Sequence, residues 1–312
     1  MHDEFTIGID LGGTRIKTGL VTEGKILDLK IIEAKASENL SNQLPHLEQI
    51  ISGFKESADG RRLKGIGLAF PGIVNSDKNL VIDTSSKYPD APQLNLTRWA
   101  NQVFGVPFKM DNDARLACYG EWLYGAGKGT TDMVMITLGT GIGTSVITNN
   151  QLLKGKHYQA GILGGHIIID YKNQSDLCSC GRYGCPEGIA SMWMIDRKAK
   201  QDPLYPQSKL AEAQKINWET ILEFSAAGDE LATRLKQHCL DVWATAIINM
   251  VHAYDPERIV IGGGISHSEK ELLTFFENEL TKRGWCPSGI PELRVASYPD
   301  TAAVLGAGSL FD

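Results

Sequence analysis

Two carboxylates flank an amide in the run Asp111-Asn112-Asp113, at the start of a helix predicted over residues 113–124. A carboxylate in this place could accept the proton of a substrate hydroxyl, while Asn112 holds a neighbouring hydroxyl. Asp and Asn are also the residues preferred at helix N-termini, so an ordinary helix cap is the competing interpretation. The run by itself leaves both interpretations open.

Three cysteines, Cys178, Cys180 and Cys185, lie close together, and His166 precedes them. Three thiolates and one imidazole complete a tetrahedral Zn²⁺ shell with no open position, so the predicted metal is structural. A disulfide is one alternative, which a reducing compartment disfavours, and chance clustering is the other. Glu187 follows the last cysteine and precedes a helix predicted over residues 188–200. A metal-pinned loop would aim its carboxylate, whereas a plain helix N-terminus also favours an acidic residue.

Three glycine-rich loops each follow a predicted strand. Glycine lets the backbone approach an anion closely and point its N–H groups at it. One such loop is often a plain turn, but three at strand ends fit contacts to phosphates and adenosine. In the first loop, Thr14 adds a hydroxyl and Asp10 is placed to hold a hydrated Mg²⁺. The candidate nucleotide-binding residues are Asp10, Gly12, Gly13, Thr14, Gly139, Thr140, Gly141, Gly262, Gly263 and Gly264.

An internal repeat organises the chain. Residues 9–14 and 136–141 both run from a strand through a Gly/Thr turn into a second strand and a hairpin. A repeated unit of this kind predicts two similar α/β domains that face each other across a cleft, although two Gly-rich hairpins can also be alike by chance. The expected division is a small domain at residues 1–112 and a larger one, with the zinc loop, at 113–300. A helix at about 301–312 is expected to pack back on the small domain.

The composition of the chain argues against nucleic acid and membrane as binding partners. The formal net charge is −6, with no evident basic face, which argues against nucleic-acid binding. It also predicts that a phosphate is held by backbone N–H groups and a metal ion, and not by a set of lysines and arginines. No apolar run approaches the roughly 18–20 residues that cross a bilayer. Scattered single cysteines and a polar N-terminus indicate a cytoplasmic protein with no membrane partner.

Taken in order, these features resemble the ROK family (repressor, open reading frame, kinase) of sugar kinases over nearly the whole chain. The resemblance is carried by the first loop, by residues 65–72 ending in Pro71-Gly72, by Asn112-Asp113 and by the loop at 139–143. Its most specific part is His166 with Cys178-x-Cys180-Gly-x-x-Gly184-Cys185-x-Glu187.

The resemblance implies a two-domain α/β fold of the actin-like ATPase (ribonuclease H-like) type with an interdomain cleft. It implies ATP-dependent phosphorylation of a hexose or modified hexose, most often at the 6-hydroxyl, with ATP, Mg²⁺ and a structural Zn²⁺. Asp113 would be the catalytic base, and the loops at 10–14 and 139–143 would hold the phosphates, with 262–264 beside the nucleotide. The implied sugar contacts are Asn112, Asp113, His166 and Glu187, and the implied zinc ligands are His166, Cys178, Cys180 and Cys185.

One position departs from the family, which usually carries Gly-Glu-x-Gly-His before the zinc loop. This chain reads Ile162-Leu163-Gly164-Gly165-His166, so Leu163 stands where a sugar-binding Glu is expected. An altered choice of sugar, such as a deoxy or N-acyl hexose, is the expectation. The rival is a sugar-sensing, non-catalytic regulator, for which the nine residues before Asp10 leave no helix-turn-helix. A decayed sugar-binding protein is disfavoured because Asp10, Asn112 and Asp113 are all present. Dimers are common among relatives, which leaves a homodimer open.

Overall fold

The computed structural model describes residues 4–265 and 269–312. Contacts divide the chain into two compact units. The first comprises Met1–Gly129, Leu152–Ala160 and Asp300–Asp312, and the second comprises Thr130–Gln151 and Gly161–Pro299. The first segment of the first unit ends at Gly129, whereas the sequence analysis placed the domain boundary at residue 112. The first unit also includes the C-terminal segment. How the chain divides into folding domains stays a prediction.

The strands and helices are numbered along the chain. The strands are β1 (Glu4–Leu11), β2 (Arg15–Thr22), β3 (Lys25–Glu33), β4 (Arg62–Phe70), β5 (Ile73–Asn75), β6 (Leu80–Asp83), β7 (Phe108–Asn112), β8 (Met133–Leu138), β9 (Ile142–Thr148), β10 (Gln151–Leu152), β11 (Arg258–Gly262) and β12 (Glu292–Val295). The α-helices are α1 (Leu44–Ser57), α2 (Leu96–Phe104), α3 (Asp113–Tyr124), α4 (Pro186–Ala190), α5 (Met192–Gln201), α6 (Trp218–Ala226), α7 (Glu230–Tyr254), α8 (Glu269–Arg283) and α9 (Ala302–Gly308).

The first unit contains a five-stranded sheet in the order β3-β2-β1-β4-β7. β1 and β2 form an antiparallel hairpin, while β1, β4 and β7 are parallel. In the parallel part, Asp10 pairs with Ala69, and Ala69 pairs with Asp111. Because parallel strands end at the same edge, this register brings the end of β1 and the start of α3 to one edge of the sheet.

Glycines let α9 approach the sheet and α3 closely. A Cβ on Gly8 or Gly67 would collide with backbone carbonyls of α9, and a Cβ on Gly306 would collide with the Leu116 carbonyl of α3. On the opposite face of the sheet, apolar side chains including Ile51 and Phe54 of α1 complete the core. Small residues thus decide which face takes the short C-terminal helix.

The second unit repeats the same plan. Its sheet has the order β10-β9-β8-β11-β12, in which β8 and β9 are antiparallel and β8, β11 and β12 are parallel. β8, β9, β11 and β12 match β1, β2, β4 and β7 in position and direction, and β10 matches β3 in position. The internal repeat predicted from residues 9–14 and 136–141 is therefore confirmed at the level of topology.

Two helices differ from the sequence-based expectation. The helix predicted over 188–200 is wrong as a single element, because Ser191 adopts an extended conformation (ψ 155°) and separates α4 from α5. The apolar run at 238–254 predicts a second long helix, and in the structure this helix, α7, begins earlier, at Glu230, where the Asp229 side chain accepts a hydrogen bond from the Ala232 N–H. Among the described residues, no helix is both long and apolar enough to cross a bilayer.

Candidate active site

The first glycine loop is the turn between β1 and β2. The Gly12 N–H donates to the Arg15 carbonyl at 3.0 Å, which closes the turn. Asp10 is the penultimate residue of the buried strand β1, and the Lys17 ammonium lies 4.0 Å from its Oδ2. Burial raises the pKa of Asp10 to about 6; Lys17 opposes this and the nearby Asp113 carboxylate adds to it. An acidic group is thus held in a site that disfavours its own charge, as expected where a cation is to be bound.

Asn112 caps α3, and Asp113 does not. The Asn112 Oδ1 accepts from the Arg115 N–H at 3.1 Å, so the competing interpretation of this run is right for Asn112. The Asn112 Nδ2 donates to the Gly72 carbonyl and to the Asp113 Oδ1, both at 2.9 Å. The Asp113 Oδ1 also accepts from the Ala114 N–H at 2.8 Å. The Asp113 carboxylate is therefore held in one orientation by its neighbours.

The electrostatic setting of Asp113 suits a base. Burial raises the pKa of its carboxyl above the ordinary value for Asp, while Lys87 and the hydrogen bonds from Ala114 and Asn112 act in the opposite direction. A general base works best when its pKa is brought toward the working pH. The cap of α3 and the candidate base are thus separate, adjacent residues.

A buried ion pair beneath this turn escaped the sequence analysis. Arg115 is fully buried, and its Nη1 lies 2.5 Å from the Asp111 Oδ1. Its Nη2 donates to the carbonyls of Tyr158 (3.1 Å) and Ala160 (3.3 Å). The Asp111 Oδ1 also accepts from the Asn112 N–H at 2.7 Å. The only sequence signal was the i, i+4 spacing of an acid and an arginine, which usually indicates a solvated helix face.

Lys87 is the second residue that sequence reasoning missed. A Cβ built on Gly13 would lie 3.4 Å from the Lys87 Cε and 3.7 Å from its Nζ, so the lysine lies against the first glycine loop. The next residue, Tyr88, is buried and donates from its hydroxyl to the Gly12 carbonyl at 3.0 Å. No motif marked this segment.

In the second unit, the loop at 139–143 is tied to α4 and α5. The Glu187 Oε2 accepts from the Ile142 N–H at 3.1 Å, and a Cβ on Gly141 would lie 2.9 Å from the same oxygen. The Met192 N–H, at the start of α5, donates to the Gly139 carbonyl at 3.0 Å. The interruption at Ser191 is what allows α5 to begin against this loop.

The third glycine loop lies beside the second. The Gly264 N is 3.7 Å from a Cβ built on Gly139, and Gly263 has φ +89°, where an added Cβ would lie only 2.3 Å from the Leu138 carbonyl oxygen. Only glycine fits that conformation and that approach without strain. The structure therefore brings the candidate residues Gly139, Thr140 and Gly141 together with Gly262, Gly263 and Gly264, while Asp10, Gly12, Gly13 and Thr14 belong to the other unit.

The four predicted metal ligands come together in the second unit. One nitrogen of His166 and the three sulfurs of Cys178, Cys180 and Cys185 lie within 4.8 Å of one another. The His166 Nδ1 is 3.6 Å from the Cys178 Sγ. No disulfide joins any of the six cysteines in the structure, so this loop carries three free thiols. Three thiols and an imidazole at these separations fit the donor set of a structural Zn²⁺.

Leu163 and His166 belong to one short 3₁₀ turn. The His166 N–H donates to the Leu163 carbonyl at 2.9 Å, and the Gly164 N–H donates to the Thr144 Oγ1 at 2.8 Å. The Leu163 side chain is 38% exposed. Leu163, His166 and Glu187 are thus carried by the second unit, whereas Asn112 and Asp113 are carried by the first.

Comparison with known proteins adds the following. The ROK family model matches residues 6–312. The glucokinase of Thermotoga maritima is 30% identical, covering 97% of this chain and 96% of the relative. The xylose repressor of Bacillus subtilis is 27% identical, covering 98% of this chain and 76% of the repressor. The solved structure of a ROK family glucokinase from Streptomyces griseus, in complex with glucose and AMPPNP, has a TM-score of 0.80 at 27% identity, with 98% of each chain covered.

These findings confirm the predicted fold and family. Solved ROK sugar kinases, which have the actin-like ATPase fold, superimpose on nearly the whole length of the structure. The fold is as the resemblance implied, the repeated sheet topology is as the internal repeat predicted, and the Cys₃His cluster is compatible with the structural zinc that the resemblance implied. With a family model that spans the chain almost from end to end, the conclusion is direct: the chain belongs to the ROK family.

Proposed function

We propose that this protein is a cytoplasmic, ATP-dependent sugar kinase that phosphorylates a hexose or modified hexose at the 6-hydroxyl. The observation that carries the proposal is the Asp113 carboxylate, which its neighbours orient and whose pKa burial raises. The similarity to the glucokinase of Thermotoga maritima, at 30% identity, supports a kinase. The related glucokinase from Streptomyces griseus was solved with glucose and AMPPNP bound.

In the proposed reaction, Asp113 accepts the proton of the attacking hydroxyl. The hydroxyl oxygen forms a bond to the terminal phosphorus as the bond from that phosphorus to ADP breaks, and ADP leaves with the electron pair. Phosphoryl transfer depends mostly on positioning and on stabilisation of charge. The bonds that fix the Asp113 Oδ1 supply positioning, because they leave the carboxylate little freedom to rotate.

Asn112 would bind the sugar only as an acceptor. Its two amide N–H groups are used by the Gly72 carbonyl and the Asp113 carboxylate, while its Oδ1 accepts one bond from the Arg115 N–H. A carbonyl oxygen has two lone pairs, so one acceptor position remains. The sugar hydroxyl that meets Asn112 would therefore donate to it.

The bound ions would have distinct roles. Asp10 would hold a hydrated Mg²⁺, which neutralises phosphate charge when bound. His166 and the three clustered cysteines would hold a structural Zn²⁺ that fixes the loop preceding Glu187. In the structure, that loop already meets Glu187, whose Oε1 accepts from the Ser179 hydroxyl. The rigid loop would keep Glu187 and His166 in place for sugar hydroxyls.

The direct test is ADP release with a panel of hexoses, with ATP and polyphosphate as donors. Asp113→Asn should bind sugar normally but lose about 10²–10⁴-fold in kcat, the usual contribution of a general base. Asp59→Asn, on an exposed turn with φ 50° that Asn tolerates, is the matched control. Near-normal turnover in Asp113→Asn would contradict the assignment.

The competing function is a sugar-responsive regulator, which the similarity to the xylose repressor supports. The same assay separates the two functions, because a regulator would bind a sugar without releasing ADP. A sugar bound with no turnover under any donor would favour the regulator.

Leu163 would set the choice of sugar. An apolar side chain cannot accept a hydroxyl, and a buried hydroxyl without a partner costs about 1–3 kcal/mol. Leu163→Glu should therefore raise kcat/KM for unmodified glucose relative to deoxy or N-acyl hexoses by about 5–150-fold. Ile167→Glu, with the same 38% exposure at the other end of the turn, is the control. Strong selectivity of the wild type for glucose would contradict this part of the proposal.

A further inference from the structure

The segment that carries Lys87 is held in an unusual backbone conformation. Ser85, Ser86 and Tyr88 have φ of 48°, 63° and 51°, all in the left-handed region that residues with a β-carbon disfavour. Three such residues around one lysine destabilise the folded state, and a surface loop without a function would not need this conformation. Strain of this kind collects at functional sites, where the surrounding structure over-determines the conformation.

The surrounding bonds fix the segment on both sides of Lys87. Before it, the Ser85 N–H donates to the Asp83 Oδ1 at 2.8 Å. After it, the Tyr88 N–H donates to the Ala36 carbonyl at 2.7 Å, and the buried Tyr88 hydroxyl donates to the Gly12 carbonyl. Tyr88 therefore ties the segment to the first glycine loop, and the lysine side chain comes to lie against Gly13.

The charge of Lys87 acts on both Asp10 and Asp113. Burial raises the pKa of both Asp10 and Asp113, and the Lys87 ammonium counteracts that effect at each. Lys17, the other cation near Asp10, is engaged by the Asp300 backbone carbonyl as well as by Asp10. The half-buried residue Lys87 thus lies against the glycine loop and acts electrostatically on both carboxylates that the proposed reaction uses.

Two backbone groups of the loop complete a binding surface for an anion. Within the described residues, the N–H groups of Gly13 and Thr14 donate no hydrogen bond, whereas the Gly12 N–H closes the turn. Free N–H groups beside a lysine form a surface that attracts phosphate oxygens. The pair of carboxylates nearby would repel an anion unless a cation were present.

Resting on the proposed kinase function, we infer that Lys87 binds the terminal phosphate of the nucleotide and stabilises the charge on its oxygens during transfer. Lys87 stays protonated throughout: the proton of the sugar hydroxyl goes to Asp113, and the electron pair of the broken bond leaves with ADP. This differs from the expectation, based on net charge, that backbone N–H groups and a metal ion hold the phosphates alone.

The experiment compares binding of AMPPNP and ADP, each with Mg²⁺, to the wild type and to Lys87→Met by calorimetry. Lys87→Met should weaken AMPPNP about tenfold or more, as expected for a lost charge-assisted contact, and should weaken ADP far less. Its kcat should fall about 10²–10³-fold, with sugar affinity unchanged. Lys87→Arg should restore part of both losses, and Lys78→Met, at an exposed lysine of the same unit, should change neither.

Other outcomes overturn the inference. Equal losses for AMPPNP and ADP would place Lys87 away from the terminal phosphate. Unchanged nucleotide binding, with kcat recovered at higher pH, would mean that Lys87 acts only by keeping Asp113 ionised. If the wild type binds AMPPNP but phosphorylates no sugar, the proposed function is overturned. The affinities of wild type and Lys87→Met for AMPPNP and ADP would still show whether Lys87 contacts the terminal phosphate. A wild type that binds neither nucleotide overturns both.

Discussion

Removing Arg115 should destabilise the first unit strongly. Arg115 and Asp111 are both buried, and their charged atoms lie 2.5 Å apart. Arg115→Met would fill much of the same volume but leave the Asp111 carboxylate without its cation. Breaking a buried pair in this way costs about 3–5 kcal/mol, because the remaining charge is uncompensated. The carbonyls of Tyr158 and Ala160 would also lose a donor.

A double-mutant cycle tests the physical cause. Asp111→Asn alone should also destabilise, since it leaves the Arg115 guanidinium buried and unpaired. The double variant, Asp111→Asn with Arg115→Met, should lose less than the sum of the two, with a coupling energy of about 0.5–3 kcal/mol. The free energy of unfolding is measured in urea by far-UV circular dichroism. Arg98→Met, at an exposed arginine on α2, is the control and should change little.

Two results would refute this reasoning. A loss below about 1 kcal/mol for Arg115→Met would show that the site relaxes or admits water. Strict additivity in the cycle would show that the two side chains contribute independently. Because Asp111 also accepts from the Asn112 N–H, a destabilised pair should lower kcat as well, so activity gives a second readout.

Three further predictions concern packing, charge and the metal. Gly306→Ala should destabilise the protein by about 1–3 kcal/mol through overpacking, whereas Gly53→Ala, with open space around it in α1, should stabilise by about 0.5–1 kcal/mol, both read from urea unfolding. Because burial raises the pKa of Asp113, its ionised form opposes folding at pH 7. Asp113→Asn should therefore raise Tm at pH 7, and the gain should vanish as the pH falls below the ordinary Asp pKa; an equal gain at all pH values would contradict the cause. Cys180→Ser should lose about one equivalent of bound zinc and weaken sugar binding, whereas Cys286→Ser should keep the metal, as metal analysis by mass spectrometry would show; equal zinc content in both would exclude the predicted ligand set.

Features that depend on residues close together in the sequence could be predicted. The predicted ligands Cys178, Cys180 and Cys185 lie on one tight loop, so the chain itself nearly fixes their proximity, and the sequence analysis could add His166 because an imidazole is a common zinc donor. The repeat of strand, glycine turn and strand was visible because two-residue alternation and glycine runs are local signals. The replacement at Leu163 could be noticed for the same reason, since it lies inside a motif.

The break at Ser191 could not be predicted from local pattern. Residues 188–200 are compatible with one helix by propensity, but the Met192 N–H is bonded to the Gly139 carbonyl of a distant loop. A tertiary contact of this kind overrides a weak local preference.

The sequence by itself determined the repeated architecture, the candidate metal ligands and the identity of the acidic residues at the first sheet's edge. Only the tertiary structure decided that Arg115 is buried in an ion pair, that Asn112 rather than Asp113 caps α3, and that Lys87 lies against Gly13. The physical reason is distance along the chain. Burial and ion pairing depend on which remote segments pack together, and no periodicity or spacing within a single element records that choice.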